Sequence, residues 1–200
     1  MQGTGCTAGG RLWGVLRHPD PPLSDGVITL RAMTGADADA VTAACQDPEI
    51  PRWTRVPVPY RRADALAWVA GSELELDAGV TIGWLAVDQQ DRLLASISVM
   101  QIDRARGTGE IGYWVAREAR GRGIATRAVR LVSEWAASEL GLTTLEIVVH
   151  EDNAPSHAVA RAAGFAETGE RRVAPREGLP EGRYIVHHRH PGARTARPAR

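Results

Sequence analysis

The chain of 200 residues contains no lysine, so all 24 of its basic residues are arginine. A P-loop nucleotide-binding site needs the lysine of its G-x-x-x-x-G-K-[ST] motif, and that class of protein is therefore excluded. The two cysteines, Cys6 and Cys45, have neither the spacing of a zinc site nor that of a disulfide framework. We interpret this as the cysteine content of a reduced, cytoplasmic protein.

The sequence also lacks an excess of either charge, because 24 acidic residues balance the 24 arginines. Without a basic field we expect no nucleic-acid partner. There is no run of about 18 apolar residues, which a membrane-spanning helix needs. No apolar segment of a secretory signal follows the first residues either. We therefore expect no membrane association.

Composition divides the chain into three parts. Residues 1–26 are rich in glycine and proline and are expected to form a disordered leader; whether this leader is functional or translated is left open. Residues 27–190 carry strand and helix patterns over a length that suits one domain. Residues 191–200 are small, basic and proline-punctuated, and we expect a disordered tail.

Hydrophobic periodicity within residues 27–190 predicts strands interleaved with helices. The predicted strands are 27–33, 80–87, 93–102, 110–116, 143–149, 165–173 and 183–188. The predicted helices are 34–45, 63–76, 125–140 and 155–163, whereas the proline-rich segment 47–60 is expected to be mostly loop. Helices inserted between consecutive strands indicate a mixed α/β sheet.

The most informative stretch is Arg120-Gly121-Arg122-Gly123-Ile124-Ala125, between a predicted strand and a predicted helix. The first turn of a helix leaves about four backbone N–H groups without partners and carries partial positive charge. Glycines let a ligand approach the backbone closely, and arginines offer donors that match phosphate oxygens. The stretch predicts a phosphate-binding turn. On the motif alone, tight strand-to-helix packing is an equal alternative.

Further motifs extend this interpretation. Arg120, Gly123 and Ala125 fit the signature Q/R-x-x-G-x-G/A, in which the chain resembles the GNAT N-acetyltransferases. The E-I-G-Y-W segment at 110–114 and the N-x-x-S segment at 153–156, followed by G-F at 164–165, are similar to the RimJ/RimL-type branch. The resemblance covers residues 27–190. It implies the GNAT acyl-CoA N-acyltransferase fold, an α/β (α+β) fold whose central mixed, mostly antiparallel sheet is flanked by helices.

By the same resemblance, the activity is transfer of the acetyl group from acetyl-CoA by direct attack of an acceptor amine. The acceptor is either a protein N-terminal α-amine, as for ribosomal-protein-alanine acetyltransferases, or a small-molecule amine. A non-catalytic acyl-CoA-binding or sensor domain is the remaining alternative. The expected partners are acetyl-CoA as co-substrate and the acceptor amine. A homodimer through a sheet edge or the Trp53 loop is left open.

The resemblance also implies which residues hold acetyl-CoA. The backbone of Trp114, Val115 and Ala116 is expected to pair with the pantetheine arm, and Asn153 to contact this arm from the other side with Ser156 nearby. The candidates for the pyrophosphate are Arg120, Gly121, Arg122, Gly123, Ile124, Ala125 and Thr126.

Glu110 is the candidate general base, because an ammonium must lose a proton before it can attack. The alternative for Glu110 is an ordinary charge at a strand end. Many GNAT enzymes place a tyrosine five residues before the G-F pair to protonate the departing thiolate, but Ala160 stands there in this sequence. Ser156, Tyr113 and water remain as proton sources. Ser156 is a catalytic candidate, although we favour capping of its own helix.

Histidines cluster late in the sequence. His187 and His188 end the last predicted strand and His190 follows it, and His150 and His157 flank Asn153. We interpret all five as solvated or surface side chains, and no metal site is predicted.

Overall fold

The computed structural model describes residues 7–8, 11–12, 15–174 and 176–191. Two short strands, β1 (Thr7–Ala8) and β2 (Arg11–Leu12), pair with each other. The strands of the main sheet are β3 (Leu23–Ser24), β4 (Thr29–Arg31), β5 (Ile82–Val87), β6 (Leu93–Asp103), β7 (Thr108–Val115), β8 (Thr144–His150), β9 (Ala166–Val173) and β10 (Arg183–Arg189). Their spatial order is β3-β4-β5-β6-β7-β8-β10-β9.

The helices are α1 (Ala38–Ala44), α2 (Glu49–Trp53), α3 (Arg62–Asp77), α4 (Ile124–Leu140) and α5 (Ala154–Ala162), with 3-10 turns at Gly35–Asp37 and Arg117–Ala119. None of the described helices combines the length and the apolarity needed to cross a membrane. The predicted fold class, a mixed and mostly antiparallel sheet flanked by helices, is confirmed.

The sheet opens between β7 and β8. In the described sheet this is the parallel pair, and it is joined only from Thr108–Thr144 to Glu110–Glu146. Beyond Glu110, β7 continues to Val115 paired with β6, and β8 continues to His150 paired with β10. The two strands therefore diverge, and each keeps one unpaired backbone edge facing the opening.

Two apolar layers cover the sheet. The helices α4 and α5 pack on one face with Ile111 and Tyr113 of β7, whereas α1 and α3 pack on the other with Trp114. Side chains alternate between the faces of a strand. Glu110 therefore points to the face of Trp114, and Tyr113 points to the opposite face.

The segment 47–60, expected to be mostly loop, contains helix α2. Its prolines are compatible with a helix, since Pro48 precedes the first turn and Pro51 lies within it, where a backbone N–H has no intrahelical acceptor. The Asp47 carboxylate accepts a hydrogen bond from Glu49 N at 3.0 Å, and Ile50 is buried. The prolines thus start this helix and do not prevent it.

The described part of the expected leader differs from the prediction. Leu16 is 4% exposed in the main core, and β3 pairs with β4. His18 Nε2 lies 2.8 Å from the carbonyl oxygen of Gly83. A few apolar side chains give residues 15–26 enough burial to pack on the domain, although their average composition is loop-like. Most of residues 1–14 and all of 192–200 lie outside the described residues, so disorder there stays a prediction.

Candidate active site

Both predicted ligand-binding motifs lie at the diverging end of β7 and β8. Because these strands are parallel, the turns that follow them lie at the same edge of the sheet. The turn after β7 leads into α4, and the turn after β8 leads into α5. The opening is thus flanked by two helix N-termini, which carry partial positive charge and unpaired N–H groups.

The turn before α4 has the backbone of an anion site. Gly121 has φ +72° and Gly123 has φ +74°, values that side chains rarely permit, and a Cβ on either would meet nothing within 4 Å. Open space therefore lies above both glycines. The N–H groups of Ile124, Ala125 and Thr126 start the helix and have no intrahelical acceptors. This cradle fits the pyrophosphate predicted from the sequence.

A surface cavity of about 490 Å³ continues from the cradle along α4. Arg127 is ion-paired with Asp25 at 2.6 Å, and Arg130 donates a hydrogen bond to the Ala162 carbonyl at 2.5 Å. Arg122 is exposed here. The cavity lining consists of Asp25, Arg122, Gly123, Thr126, Arg127, Arg130, Leu131 and Glu134. The excess of arginine extends the positive potential of the cradle.

Arg120 differs from Arg122 because its side chain forms an ion pair with a protein carboxylate, whereas Arg122 donates to the Glu118 carbonyl, at 3.5 Å. Its Nη1 lies 2.8 Å from Asp47 Oδ2, and its Nε donates to the Val115 carbonyl at 3.2 Å. The Asp47 side chain is only 9% exposed. Arg120 therefore fastens the cradle to the residues that precede α2. Its predicted role in holding pyrophosphate stays a prediction.

The ladder between β6 and β7 decides which backbone groups face the opening. The Ala116 N–H donates to the Leu94 carbonyl at 2.9 Å. Because hydrogen-bonding direction alternates along an antiparallel ladder, Ala116 and Trp114 face β6, and Val115 and Tyr113 face the opening. Of the three residues predicted to pair with pantetheine, only Val115 thus presents its backbone there. Tyr113, which sequence reasoning did not assign to this role, joins it.

The predicted cap of α5 needs correction. Asn153 is the N-cap, and its Oδ1 accepts a hydrogen bond from Ser156 N at 3.2 Å. The capping role favoured for Ser156 is therefore wrong, because Ser156 is the third residue of the helix and lies within its first turn. Its Oγ lies 2.7 Å from the Tyr113 hydroxyl oxygen. Burial raises the pKa of Tyr113 to about 12, so the phenol remains protonated at neutral pH.

Glu110 lies on the other face of β7 and is buried, with 7% exposure. Its Oε1 is bonded to Nη2 of Arg176, from the segment between β9 and β10. Arg176 Nη1 lies 3.9 Å from Met100 Sδ. Burial lowers the pKa of Arg176 below its ordinary value, and the positive charge of Arg55 contributes. No pattern in the sequence pointed to Arg176.

Aromatic rings border the Glu110 side of the opening. The ring centroids of Trp53 and His150 are 5.3 Å apart, and those of His150 and Tyr184 are 5.2 Å apart. Trp53 Nε1 donates to the Glu49 carboxylate at 3.2 Å. His150 is half-buried against these rings and not fully exposed as expected, since its side chain is 10% exposed. These rings lie on the face of the sheet that also carries Glu110.

His157 and His187 are also buried, contrary to expectation. His157 Nδ1 lies 2.9 Å from His187 Nε2, and His157 Nε2 lies 3.1 Å from the His150 carbonyl. The carbonyl accepts a proton only from Nε2, so neutral His157 must accept from His187 through Nδ1. Glu167 lies near the pair. Two nitrogens on one zinc ion lie about 3.3 Å apart, so we interpret the shorter contact as a structural hydrogen bond.

The comparison with known families agrees with this geometry. The family model for the acetyltransferase (GNAT) domain matches residues 28–166. The chain belongs to the GNAT acetyltransferase family. It is therefore an acetyl-CoA-dependent N-acetyltransferase, and acetyl-CoA is its co-substrate, as the sequence motifs predicted. The opening, the cradle and the two helix N-termini are the features that suit this ligand.

Individual relatives of this GNAT protein agree with the RimJ/RimL-like assignment. The N-acetyltransferase p20 of Bacillus licheniformis is 26% identical over 146 residues, or 71% of this chain and 80% of p20. The ribosomal-protein-serine acetyltransferase of Escherichia coli is 32% identical over 81 residues, or 40% of this chain and 45% of that protein. The structure of Mycobacterium smegmatis RimJ has a TM-score of 0.73 at 22% identity, covering 84% and 85% of the two chains.

Proposed function

We propose that this GNAT enzyme acetylates the α-amine of a protein N-terminus, with Glu110 as general base and Ser156 as general acid. One observation carries the proposal. Glu110 and the Tyr113–Ser156 pair lie on opposite faces of β7, at the point where β7 and β8 diverge. An acetyl group placed in the opening thus has a proton acceptor on one side and a proton donor on the other.

The proposed steps balance in protons and electrons. The acceptor ammonium first loses one proton, and Glu110 takes it. The amine nitrogen then bonds to the acetyl carbonyl carbon, the carbon–sulfur bond breaks, and the electron pair of that bond leaves with sulfur. Ser156 gives the thiolate its hydroxyl proton and takes one from Tyr113, which is reprotonated by solvent. The N-acetyl nitrogen gives its second proton to solvent, and Glu110 also returns its proton to solvent. The products are an N-acetyl amide, the free thiol of CoA and one proton released to solvent.

Two arguments support an α-amine as the acceptor. An α-amine titrates at about 7.7–8.0 and a lysine side chain at about 10.4, so a carboxylate removes the proton of an α-ammonium more easily. The related Escherichia coli protein is named a ribosomal-protein-serine acetyltransferase, and Mycobacterium smegmatis RimJ shares the fold of this chain. A small-molecule amine is the second candidate acceptor.

The test combines ligand binding with turnover. Acetyl-CoA at about 100 times its dissociation constant is expected to stabilise the protein by about 2.7 kcal/mol, whereas equal ATP is not. Release of the CoA thiol is then measured with peptides beginning in Ser or Ala, with the same peptides N-acetylated, and with spermidine. We expect turnover with free peptides only, and a loss of about 10²–10⁴-fold in Glu110→Gln.

Each other outcome has a distinct meaning. Turnover with spermidine but not with peptides transfers the assignment to small amines. Equal turnover by Glu110→Gln and the parent enzyme contradicts the role of Glu110 as base. Acetyl-CoA binding without turnover of any amine supports the sensor alternative.

A further inference from the structure

We propose that Arg176 is a tethered competitor of the acceptor: its guanidinium occupies the place at Glu110 that the acceptor ammonium must take. Acceptor binding is then an exchange of one cation for another at a single carboxylate. This inference rests on the proposed function of Glu110. It adds a residue that controls acceptor affinity from outside the acetyl-CoA site.

The contact between Arg176 and Glu110 resembles the one that an acceptor ammonium would make with Glu110. Glu110 is buried on the face of the sheet that carries the aromatic rings, and Arg176 Nη2 bonds to its Oε1. The Arg176 side chain is 20% exposed and that of Glu110 is 9% exposed, so the guanidinium is the more accessible partner of the pair. A guanidinium and an ammonium are both cationic N–H donors. An ammonium at Glu110 therefore needs Arg176 to move away.

Arg176 can move without unfolding of its segment. The later part of this segment is anchored separately, because Tyr184 donates to the Pro180 carbonyl at 2.8 Å and His150 Nε2 lies 3.1 Å from the Glu181 carbonyl. Gly178 lies against the side chain of Arg55. Rotation about the side-chain bonds of Arg176 is thus sufficient to move its guanidinium away from the Glu110 carboxylate.

The surroundings weaken the contact that Arg176 makes. Burial disfavours the charged form of its guanidinium, and the nearby Arg55 repels it. The carboxylate at the matching position of β8, Glu146, is already paired, since it contacts Arg172 and His188. Met100 of β6 is neutral. Arg176 is therefore the cation paired with Glu110, while burial and Arg55 both act against its charge.

The exchange has a quantitative consequence. When only a fraction of the enzyme has a free Glu110, the apparent dissociation constant of the acceptor rises by the inverse of that fraction. Removing the tethered cation is therefore expected to lower the acceptor KM, by on the order of 10-fold if Glu110 is free about a tenth of the time. Acetyl-CoA binds on the other side of the opening and is expected to keep its affinity.

The test compares Arg176→Ala, Arg176→Met and Glu177→Ala in the full chain. Methionine retains much of the aliphatic length of arginine, and Glu177 is an exposed neighbour that makes a matched control. The readouts are the KM of the Ser- and Ala-initiated peptides and the ¹³C-carboxyl titration of Glu110, assigned through its absence in Glu110→Gln. We expect a lower KM and a Glu110 titration at higher pH in both Arg176 variants, because a stabilising cation has gone.

Two results would overturn the proposal. A higher acceptor KM in both Arg176 variants would make Arg176 part of the acceptor-binding surface, and an unchanged KM and titration would make it irrelevant to Glu110. The titration needs no turnover. If the proposed function is wrong, no peptide is acetylated. If the exchange is wrong, the pH at which Glu110 titrates is the same in the Arg176 variants and the parent, so the two failures can be told apart.

Discussion

The hydroxyl oxygens of Tyr113 and Ser156 lie 2.7 Å apart, across the contact between β7 and α5. Tyr113 is a protonated donor whose pKa burial raises to about 12, and it can hold the Ser156 oxygen in one orientation. Since Ala160 occupies the position of the usual family tyrosine, we propose these two hydroxyls as the donors that protonate the leaving thiolate. Tyr113 is then a positioning residue that acts through Ser156.

This relationship predicts that Tyr113→Phe lowers kcat by about 10-fold, because Ser156 loses its hydrogen-bond partner but keeps its own proton. Ser156→Ala removes the proton and is expected to lower kcat by about 10²-fold or more. Steady-state kinetics with acetyl-CoA and a Ser-initiated peptide measure both values. Equal kcat in Tyr113→Phe and the parent, with a slow Ser156→Ala, would show that the tyrosine does not assist the serine.

The cradle predicts a specific sensitivity at Gly123. Alanine at φ +74° is strained, and Gly123→Ala is expected to lose about 1 kcal/mol of stability together with about 10-fold in acetyl-CoA affinity. Gly79, after α3, also has φ +74° and open space around a Cβ. Gly79→Ala thus has the same strain away from the site. Urea unfolding measures the stability of each variant, and titration with acetyl-CoA measures its affinity. Equal losses of acetyl-CoA affinity in Gly123→Ala and Gly79→Ala would argue against a cradle.

The two arginines of the cradle are predicted to behave differently. Arg120→Ala leaves the buried Asp47 carboxylate without its cation, and we expect a stability loss of about 1–3 kcal/mol. Arg122 is exposed, so Arg122→Ala is expected to weaken acetyl-CoA binding while leaving stability within about 0.5 kcal/mol. Urea unfolding without acetyl-CoA measures the change in stability, and the additional stability found with acetyl-CoA measures the change in binding. Adding Asp47→Ala to Arg120→Ala should restore part of the loss, and strictly additive losses would exclude the pairing.

The elements that the sequence predicted well are specified by local signals. The apolar stripe of α4 places Val129, Val132 and Trp135 in the core as expected. The hairpin of β5 and β6 turns at Asp88, whose carboxylate accepts from the backbone N–H groups of Gln90 and Arg92. Helix α2 was missed because its prolines counted against a helix, although Pro48 at the N-cap and Pro51 in the first turn allow one.

The candidate site was predictable only in part, for a physical reason. The cradle is a continuous segment, so its glycines and helix start are visible in the sequence. The Tyr113–Ser156 contact joins residues 43 positions apart, and Arg176–Glu110 joins residues 66 positions apart. Such contacts depend on how β7, α5 and the last strands pack together. The hydrophobic periodicity of a short segment carries no information about them. The burial of His187 has the same origin, because α5 covers its face of β10.

The buried His187 predicts how stability depends on pH. Burial lowers its pKa below the ordinary value of 6.5, and the neighbouring His157 contributes. The unfolded chain therefore binds the His187 proton more tightly than the native protein does. The resulting stability is fully present above about pH 6.5 and is lost as pH falls through the lower native pKa. Urea unfolding from pH 5 to 8 should show this decline.

Two variants of β10 isolate the contribution of His187. His187→Phe removes the titrating ring, so the decline of the unfolding free energy below pH 6.5 should become shallower, whatever the stability at pH 8. Val186→Ala is the matched control, because Val186 is fully buried next to it and does not titrate. This variant is expected to lose about 2 kcal/mol at every pH and to keep the slope of the parent. An identical slope in His187→Phe would assign the decline to other groups.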